Sequence, residues 1–409
     1  MSPASADPDR HLAAAADRFG TPAYVYFTDV IEMRLAGLRA ALGRWFAVSY
    51  AVKSNPNPAL LDWMRDRLDY LDISSGGEFG LARQAGWDPA LVSFTGPAKR
   101  EAELRTVIQA GLGELVVESL REARLADAIA AELGLVQPIL IRIAPDRVPK
   151  GFGDQMAGRP SPFGIDIEDA AEILPRIAAL PHLRIAGLHI YSGTQSLKPQ
   201  AICENWSIFM AVFAELCDAM GLSPEKLVFG SGLGIPYHPG DAALDLEQIA
   251  AEIGPELDGF QARFPSTRLI LELGRYLVGP AGYFVTRVVS VKQSRGSRIA
   301  ICDGGLNGNL AASGNFGMVL RRNYVMHRVG DPGDRAEEKQ DISGPLCTSI
   351  DKLGGGVLLP RLDEGDLLAI HAGGAYGPTA SPLHFISHPL PAEVLVTGGQ
   401  LRDVTRIRG

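Results

Sequence analysis

Short apolar runs alternate with longer stretches of helical period between about residues 45 and 275. Intervals such as GEFGLARQAG and SLREARLADAIAAELG predict amphipathic helices between strands. Strands alternating with helices predict an α/β fold, a (β/α)8 TIM-type barrel, with a doubly wound open sheet as the alternative. The eight predicted strands are WFAVSYAVK (45–53), LDYLDISS (68–75), LVSFTG (91–96), ELVVES (114–119), PILIRI (138–143), RIAGLHI (184–190), KLVFGSG (226–232) and RLILELG (268–274).

The pattern changes after about residue 281. Apolar runs such as YFVTRVVSVKQ, SRIAICDGG and AEVLVTGG are separated there by Gly, Pro and Asp clusters with little helical period. This texture predicts a C-terminal, mostly antiparallel β-domain. TPAYVYFTDV (21–30) predicts one more strand, which we expect to join that domain. The predicted domains are therefore a barrel over 31–280 and a β-domain over 281–409.

Composition narrows the class of protein. The 409 residues suit two domains, and 46% hydrophobic with 21% charged residues is typical of a globular chain. A net charge of -8 argues against a nucleic-acid or anionic-membrane partner. The four widely spaced cysteines form no CxxC pair, so we expect no structural metal site. The sequence has no signal peptide and no long apolar segment, which predicts a cytoplasmic protein.

Polar and glycine-rich residues follow most of the predicted strands, where barrel enzymes carry their chemistry. Lys53 ends an apolar run; an ammonium there either reacts covalently, has a lowered pKa, or extends into solvent. GSGLG (230–234) either binds a phosphate through backbone N–H groups or is a tight turn. Glu272 and Arg275 either hold a ring cofactor and its phosphate or form a structural ion pair.

The predicted β-domain contributes further candidates. Cys347 and Asp351 lie in the Gly/Pro-bounded segment GPLCTSIDKLGG, although a single cysteine is more often a small core residue. Tyr376 has glycine and alanine neighbours in GGAYG, which suits a phenol in a crowded site, although most tyrosines in strands only pack.

These motifs occur together and in a fixed order, and in that combination the chain resembles the ornithine/diaminopimelate decarboxylase family. Its members are pyridoxal 5'-phosphate (PLP) enzymes built from an alanine-racemase-like barrel and a β-domain. The resemblance runs from TPAYVY at 21 to PAEVLVTGG at 391–399. YAVKSNPNP resembles the Schiff-base motif, GSGLGIPY the phosphate loop, and ELGR the Glu-x-Gly-Arg element. GPLCTSID and GAYG resemble the cysteine loop and the segment with the phosphate-contacting tyrosine.

The resemblance implies a decarboxylase with PLP as its cofactor. Lys53 is then the lysine that binds the cofactor covalently, and Glu272 is the partner of its pyridinium nitrogen. Cys347 is implied to donate the proton, and to come from the second subunit of a homodimer with shared active sites. The other implied cofactor contacts are Asp72, Glu78, His189, Tyr191, Thr194, Gly232, Gly234, Arg275 and Tyr376.

Departures from the family pattern concern the substrate. Tyr191 stands where the family stacks a histidine on the ring, and Leu273 replaces a proline. Thr348 stands where decarboxylases of basic amino acids have an acidic residue that pairs with the distal amine. Loss of such a charge-assisted contact costs about 1.5–3 kcal/mol. We therefore expect a substrate without a distal amine, bound with the help of Arg321, Arg322, Thr348 and Asp351.

The pattern RRNY, GPLCT and GAYGPTASP is similar to a branch that includes exopolysaccharide-associated decarboxylases and decarboxylases of aminoacyl groups on acyl carrier proteins. Carrier proteins are acidic, and Arg321, Arg322 and Arg328 form a small basic cluster in the sequence. The expected substrate is an amino acid or a carrier-tethered aminoacyl group. The alternatives are a decarboxylase of free diaminopimelate or ornithine and, with less support, an amino-acid racemase, which typically has an arginine in place of Glu272.

Overall fold

The computed structural model describes residues 8–316, 321–331 and 333–406. Among these residues, no helix is long and apolar enough to cross a membrane. Two compact units are present. The barrel unit comprises Ala36–Ile235 and Ala243–Gly274, and the β unit comprises the described residues of Met1–Leu35, Pro236–Ala242 and Arg275–Gly409.

The chain begins with α1 Pro8–Phe19, β1 Ala23–Phe27 and α2 Thr28–Leu42. The elements that follow build the barrel unit. In chain order they are β2 Phe46–Ala51, α3 Pro58–Met64, β3 Tyr70–Ile73, α4 Gly76–Gln84, β4 Val92–Phe94, α5 Glu101–Gln109, β5 Glu114–Val117, α6 Leu120–Leu133, β6 Gln137–Ala144, β7 Asp154–Gln155, β8 Ile165–Asp166, α7 Ala170–Ala178, β9 Leu183–Ile190, β10 Gly193–Thr194, α8 Pro199–Met220, β11 Lys226–Gly230, α9 Leu246–Arg263 and β12 Arg268–Leu273.

The barrel closes by parallel pairing in the order β2-β3-β4-β5-β6-β9-β11-β12 and back to β2. The closing pair aligns Glu272 with Ser49, so the predicted TIM-type barrel is confirmed and the open sheet is excluded. Each barrel strand lies within one of the eight apolar runs or extends past it by one residue.

The interior of the barrel is layered. An apolar layer packs side chains from successive strands: Tyr70, Val116, Leu140, Ala186, Val228 and Ile270. Side chains of a strand alternate between its two faces, so a residue two positions further on returns to the interior. Those positions carry Asp72, Glu118, Arg142 and Glu272, and a register shift between β6 and β9 aligns His189 with Arg142. We call these five buried residues the polar layer.

The β unit is built on one large sheet. Its further elements are α10 Arg275–Val278, β13 Gly282–Ser294, β14 Ser297–Cys302, β15 Met326–Arg328, β16 Glu337–Ser343, β17 Lys352–Pro360, β18 Leu367–Ile370, β19 Ala392–Thr397 and β20 Gln400–Asp403. The strand order is β17-β16-β14-β13-β1-β19-β20, with β18 paired to β13 and to β15. The β14–β16 and β1–β19 pairings are parallel and the other pairings are antiparallel, which confirms the predicted second domain type. Strand β1 ends at Phe27, because Thr28 begins α2.

A chain of three polar side chains attaches α1 to the sheet of the β unit. His327 Nε2 lies 2.7 Å from Asp9 Oδ1, and His327 Nδ1 lies 2.8 Å from His371 Nε2. Burial and the nearby charge of His327 lower the pKa of His371 to about 4. Because the unfolded chain binds a proton near pH 6.5, His371 opposes folding increasingly as the pH falls from 6.5 to 4.

We expect His371→Gln to reduce the loss of stability in mild acid, because glutamine can form a hydrogen bond with His327 but does not titrate. Between pH 6.5 and 4, the wild-type free energy of unfolding should fall more than that of the variant, by up to about 3 kcal/mol. Urea unfolding followed by circular dichroism at several pH values measures this. The exposed His384 supplies the control, since His384→Gln should keep the wild-type pH dependence. Parallel curves for wild type and His371→Gln would contradict the assignment.

Candidate active site

Lys53 lies directly after β2, in a short 3₁₀ turn formed by Val52–Ser54. The segment is held from both sides, because the Tyr50 hydroxyl donates to the Asn55 carbonyl at 3.0 Å and Ser54 Oγ donates back to the strand. The Lys53 Nζ atom lies 5.4 Å from the centroid of the Tyr191 ring. The sequence thus holds a half-buried amine at the carboxyl end of β2, beside an aromatic face.

Glu272 and His189 form a buried pair in the polar layer. His189 Nε2 lies 2.8 Å from Glu272 Oε2, and both side chains are at most 3% exposed. Burial lowers the pKa of His189, so the ring is neutral and donates its Nε2–H. Burial alone would raise the pKa of Glu272, but the interaction with His189, followed by smaller contributions from the charges of Lys53 and Arg142, brings it below its ordinary value. Glu272 is therefore an anion at neutral pH.

Asp72 is the second buried carboxylate of this layer. Burial, followed by repulsion from Glu272, raises its pKa well above the ordinary value. Its Oδ1 accepts hydrogen bonds from Ser93 and Thr95, whereas its Oδ2 has no partner among the described residues. Glu78 lies in the first turn of α4, where its Oε2 accepts the backbone N–H of Ser74 at 2.7 Å.

The glycine-rich segment after β11 has a backbone that requires glycine. Gly232 has a φ of +69°, and a Cβ there would lie 2.5 Å from Phe152 Cε1. A Cβ on Gly234 would lie 2.7 Å from the Ser196 carbonyl oxygen. This segment is joined to the one after β9, because Ser196 N donates to the Gly232 carbonyl and Gly234 N donates to the Ser196 carbonyl. Thr194 belongs to the same pair of segments.

Gln195 is a structural residue of this site that the sequence analysis missed. Its side chain donates to the Ile235 carbonyl at 2.7 Å and accepts from Ile235 N at 3.1 Å. It does so from a backbone φ of 62°, which is uncommon for a residue other than glycine. The polar segment HIYSGTQS was identified, but nothing in the pattern shows which side chain ties the two segments together.

Arg275 begins α10 in the β unit and is surrounded by aromatic groups. Its guanidinium donates to the Tyr237 hydroxyl at 2.8 Å and lies 4.7 Å from the centroid of the Tyr376 ring. Tyr237 packs in turn on Tyr324, with 4.9 Å between ring centroids. Tyr376 has a φ of 54°, which is uncommon for a residue other than glycine. Tyr237 and Tyr324 were not predicted, because their roles depend on contacts between distant segments.

Cys347 is an exposed thiol on a tightly held loop. The carboxylate of Asp351 organises this loop from inside, since Oδ1 accepts the Leu306 N–H at 2.6 Å and Oδ2 accepts the Leu346 N–H at 2.8 Å. Asp351 is 1% exposed, so its carboxylate is used within the protein. Thr348 is half-buried in the same loop.

The three arginines of the predicted basic cluster each bind a different partner. Arg322 pairs with Asp241 at 2.8 Å with its side chain 52% exposed, and Arg321 donates to the Lys352 carbonyl. Arg328 pairs with Asp366 at 2.9 Å. Arg321 and Arg322 remain at the surface, whereas the charge of Arg328 is compensated in a mostly buried pair.

The barrel residues fit PLP. An amine beside an aromatic face suits the aldehyde group, and an anionic Glu272 suits a protonated pyridine nitrogen. Asp72 Oδ2 and His189 Nδ1 are buried atoms without a partner among the described residues. The glycine segment offers a close backbone approach for a phosphate.

Comparisons with known proteins also indicate a PLP-dependent decarboxylase. The model of the pyridoxal-dependent decarboxylase family, pyridoxal binding domain, matches residues 28–279. The chain is 34% identical over 402 residues to the L-glutamyl-(BtrI acyl-carrier protein) decarboxylase of Niallia circulans, covering 97% of this chain and 93% of that protein. It is 32% identical over 399 residues to the diaminopimelate decarboxylase of Aquifex aeolicus, covering 97% and 91%.

Solved structures extend the comparison. The diaminopimelate decarboxylase of Helicobacter pylori complexed with L-lysine superimposes with a TM-score of 0.84 at 26% identity, covering 95% of this chain and 94% of that chain. The M. jannaschii enzyme in complex with L-lysine gives a TM-score of 0.86 at 25% identity, covering 97% and 91%. The chain therefore belongs to the pyridoxal-dependent decarboxylase family and is a PLP-dependent amino-acid decarboxylase.

Proposed function

We propose that this enzyme decarboxylates an aminoacyl group that is tethered to an acyl carrier protein and has no distal amine. The observation that carries the proposal is the chemistry of the Cys347 loop. Thr348, a neutral residue, follows the cysteine, and the carboxylate of Asp351 is already used by Leu306 and Leu346. This loop therefore offers no free carboxylate to a distal ammonium. We assign Asp351 the role of shaping the loop.

A glutamyl group is the specific candidate, supported by the similarity to a decarboxylase of a carrier-bound L-glutamyl group. Decarboxylation at Cα requires a free α-carboxylate, so the tether must use the side-chain carboxyl group. That tether turns the distal end into a neutral thioester. The Thr348 hydroxyl can donate a hydrogen bond to such an end without a charged partner.

Arg321 and Arg322 are the proposed contacts for the carrier. Both side chains are at the surface, and a guanidinium binds phosphate or carboxylate through a planar fork of N–H donors. An acidic carrier protein, or the phosphate of its prosthetic arm, presents these acceptors. Arg322 already pairs with Asp241, so its binding would compete with that exposed contact.

The reaction depends on a few groups of the barrel unit. When bound, PLP accepts the electron pair that is released as the Cα–carboxylate bond breaks. Lys53 Nζ binds the cofactor, and Glu272, held as an anion, keeps a proton on the ring nitrogen. Tyr191 offers its ring face as a stacking surface. Asp72 and Glu78 contribute carboxylates near the amine.

The remaining proposed roles are the contacts to the cofactor phosphate and the donation of a proton to the product. We propose that Thr194, Gly232, Gly234, Arg275 and Tyr376 contact the phosphate. Cys347 delivers a proton from Sγ to Cα after carbon dioxide leaves. Cys347 is exposed, as is Ile350 of the same loop at 53%, and this exposure supports a contribution of Cys347 to the active site of a second subunit in a homodimer.

A diaminopimelate decarboxylase is the second candidate, since proteins of that name are 30–34% identical over nearly the whole chain. Thr348 argues against a free basic substrate. A racemase is disfavoured, because an anionic Glu272 at the ring nitrogen stabilises the carbanion strongly, whereas racemases of this fold typically place an arginine there.

Gln195→Ala should weaken PLP binding by roughly tenfold while the protein stays folded. The two hydrogen bonds to Ile235 hold the proposed phosphate segments together, and their loss costs about 1–2 kcal/mol. Equilibrium titration of the apoprotein with PLP measures the affinity. Gln261→Ala is a matched control, because the Gln261 side chain also makes two hydrogen bonds to the backbone, in this case to the carbonyls of Phe264 and Thr267 near the start of β12. Equal affinities for both variants would contradict the role of Gln195.

Mixing Lys53→Ala with Cys347→Ala should restore activity if active sites are shared. Each variant alone should lose most turnover, but a heterodimer has one site in which both residues are intact. About a quarter of the wild-type activity per total protein is expected for random pairing. Differently tagged subunits and purified heterodimers allow the measurement. An inactive verified heterodimer would exclude the shared site.

Carrier-bound L-glutamyl should be turned over with a kcat/KM about 10- to 100-fold above that of free lysine, ornithine or diaminopimelate. The missing charge partner costs about 1.5–3 kcal/mol, or roughly 10- to 100-fold. Release of carbon dioxide measures the reaction. Thr348→Glu should shift activity towards diamino acids, and Ser349→Glu, one residue further, should not. The proposal fails if free diaminopimelate reacts at about 10⁴ M⁻¹s⁻¹ or faster while carrier-bound substrates are inert.

A further inference from the structure

One short contact inside the barrel joins the side chains of His189 and Glu272. The two residues come from β9 and β12, which β11 separates. Their 2.8 Å contact joins atoms on side chains that are 2% and 3% exposed, so water does not compete for it. A carboxylate buried to this extent needs a donor, because an unsatisfied buried acceptor costs about as much as a lost hydrogen bond, and more when it is charged.

Burial keeps His189 a neutral donor, because a charged imidazole inside the barrel would lose its hydration. Arg142 is aligned with His189 in the β6–β9 pairing, and Arg142 Nη1 binds Glu118 Oε2 at 3.2 Å. Burial is the largest cause that lowers the pKa of His189, and repulsion from Arg142 adds to it, whereas the hydrogen bond and the charge of Glu272 act in the opposite direction. The titratable and charged groups that face the pair are Lys53 after β2, Asp72 on β3, Glu118 after β5 and Arg142 on β6.

We propose that His189 is a positioning residue, which holds Glu272 in one orientation and in its anionic form by donating the Nε2–H to Oε2. The second carboxylate oxygen is thereby left for another donor. His189 acts through Glu272 rather than by contacting the cofactor itself. The inference rests on the proposed role of Glu272 but not on the identity of the substrate.

The test compares two substitutions of His189. Glutamine places an amide donor near the Nε2 position but cannot carry a charge, whereas leucine removes the donor. The first readout is the urea midpoint of the holoenzyme between pH 4 and 8. Without the donor, burial raises the pKa of Glu272 in His189→Leu, so this variant is destabilised above that pKa and the difference from the wild type decreases as the carboxyl group protonates. The deficit of His189→Leu should therefore be largest near pH 7 and should shrink towards pH 4.

The second readout is kinetic, with whichever amino-acid or aminoacyl substrate the wild type accepts. His189→Leu should lower kcat roughly 10- to 100-fold with KM changed by less than about threefold, and His189→Gln should recover most of the loss. The pH at which the visible absorption band of the bound cofactor changes should also move in the leucine variant and return in the glutamine variant.

A double-mutant cycle shows whether His189 acts through Glu272. In the Glu272→Gln background, His189→Leu should change kcat by less than about twofold, because the carboxylate that His189 positions is absent. His182 gives a matched control, since it contacts Asp127 at 3.6 Å just before β9, and His182→Leu should leave kcat and the cofactor band unchanged.

Either of two outcomes would overturn the inference. One is a glutamine variant as impaired as the leucine variant, which would show that a neutral donor is not sufficient. The other is a full loss from His189→Leu in the Glu272→Gln background, which would show a role independent of Glu272. The absorption and unfolding measurements need no substrate, so an incorrect substrate proposal leaves this test unaffected.

Discussion

Buried charge at the carboxyl ends of the barrel strands is the constraint that organises this protein. An isolated ion in a low-dielectric interior costs several kcal/mol, so each charged side chain there needs a partner. Glu118 meets this need for Arg142, and His189 meets it for Glu272. Removal of one partner would leave the other charge buried alone. The layer is therefore a set of mutually dependent residues: beside the effect of burial, Glu272 raises the pKa of Asp72, and Lys53 acts to lower the pKa of both carboxyl groups.

Polar side chains also fix the functional loops, here by hydrogen bonds to backbone groups. Asp351 accepts two N–H groups below the Cys347 loop, and Gln195 joins the two segments around Gly232 and Gly234. Loops that carry reactive groups lose activity when they are displaced by about 1 Å. Polar side chains that take no part in the reaction thus set the positions of the residues to which we assign a chemical role.

Much of this structure could be predicted because it depends on local pattern. The eight apolar runs correspond to the barrel strands, and the change of texture after residue 281 corresponds to the antiparallel sheet. The reactive lysine could be identified because YAVKSNPNP is contiguous. Gln195 and Tyr237 could not be identified, since each gains its role from a residue about 40 positions away, Ile235 in one case and Arg275 in the other.

The sequence by itself determined the fold class, the family and the presence of PLP chemistry, because strand periodicity and short contiguous motifs are local properties of the chain. Only the tertiary structure decided the state of the groups involved. Barrel closure buries His189 beside Glu272, and this burial, with a smaller contribution from Arg142, makes the histidine a neutral donor to Glu272. The folded loop likewise turns Asp351 inward, where two backbone N–H groups occupy its carboxylate. Protonation states and hydrogen-bond partners depend on burial and on distances between remote residues, and these exist only once the chain has folded.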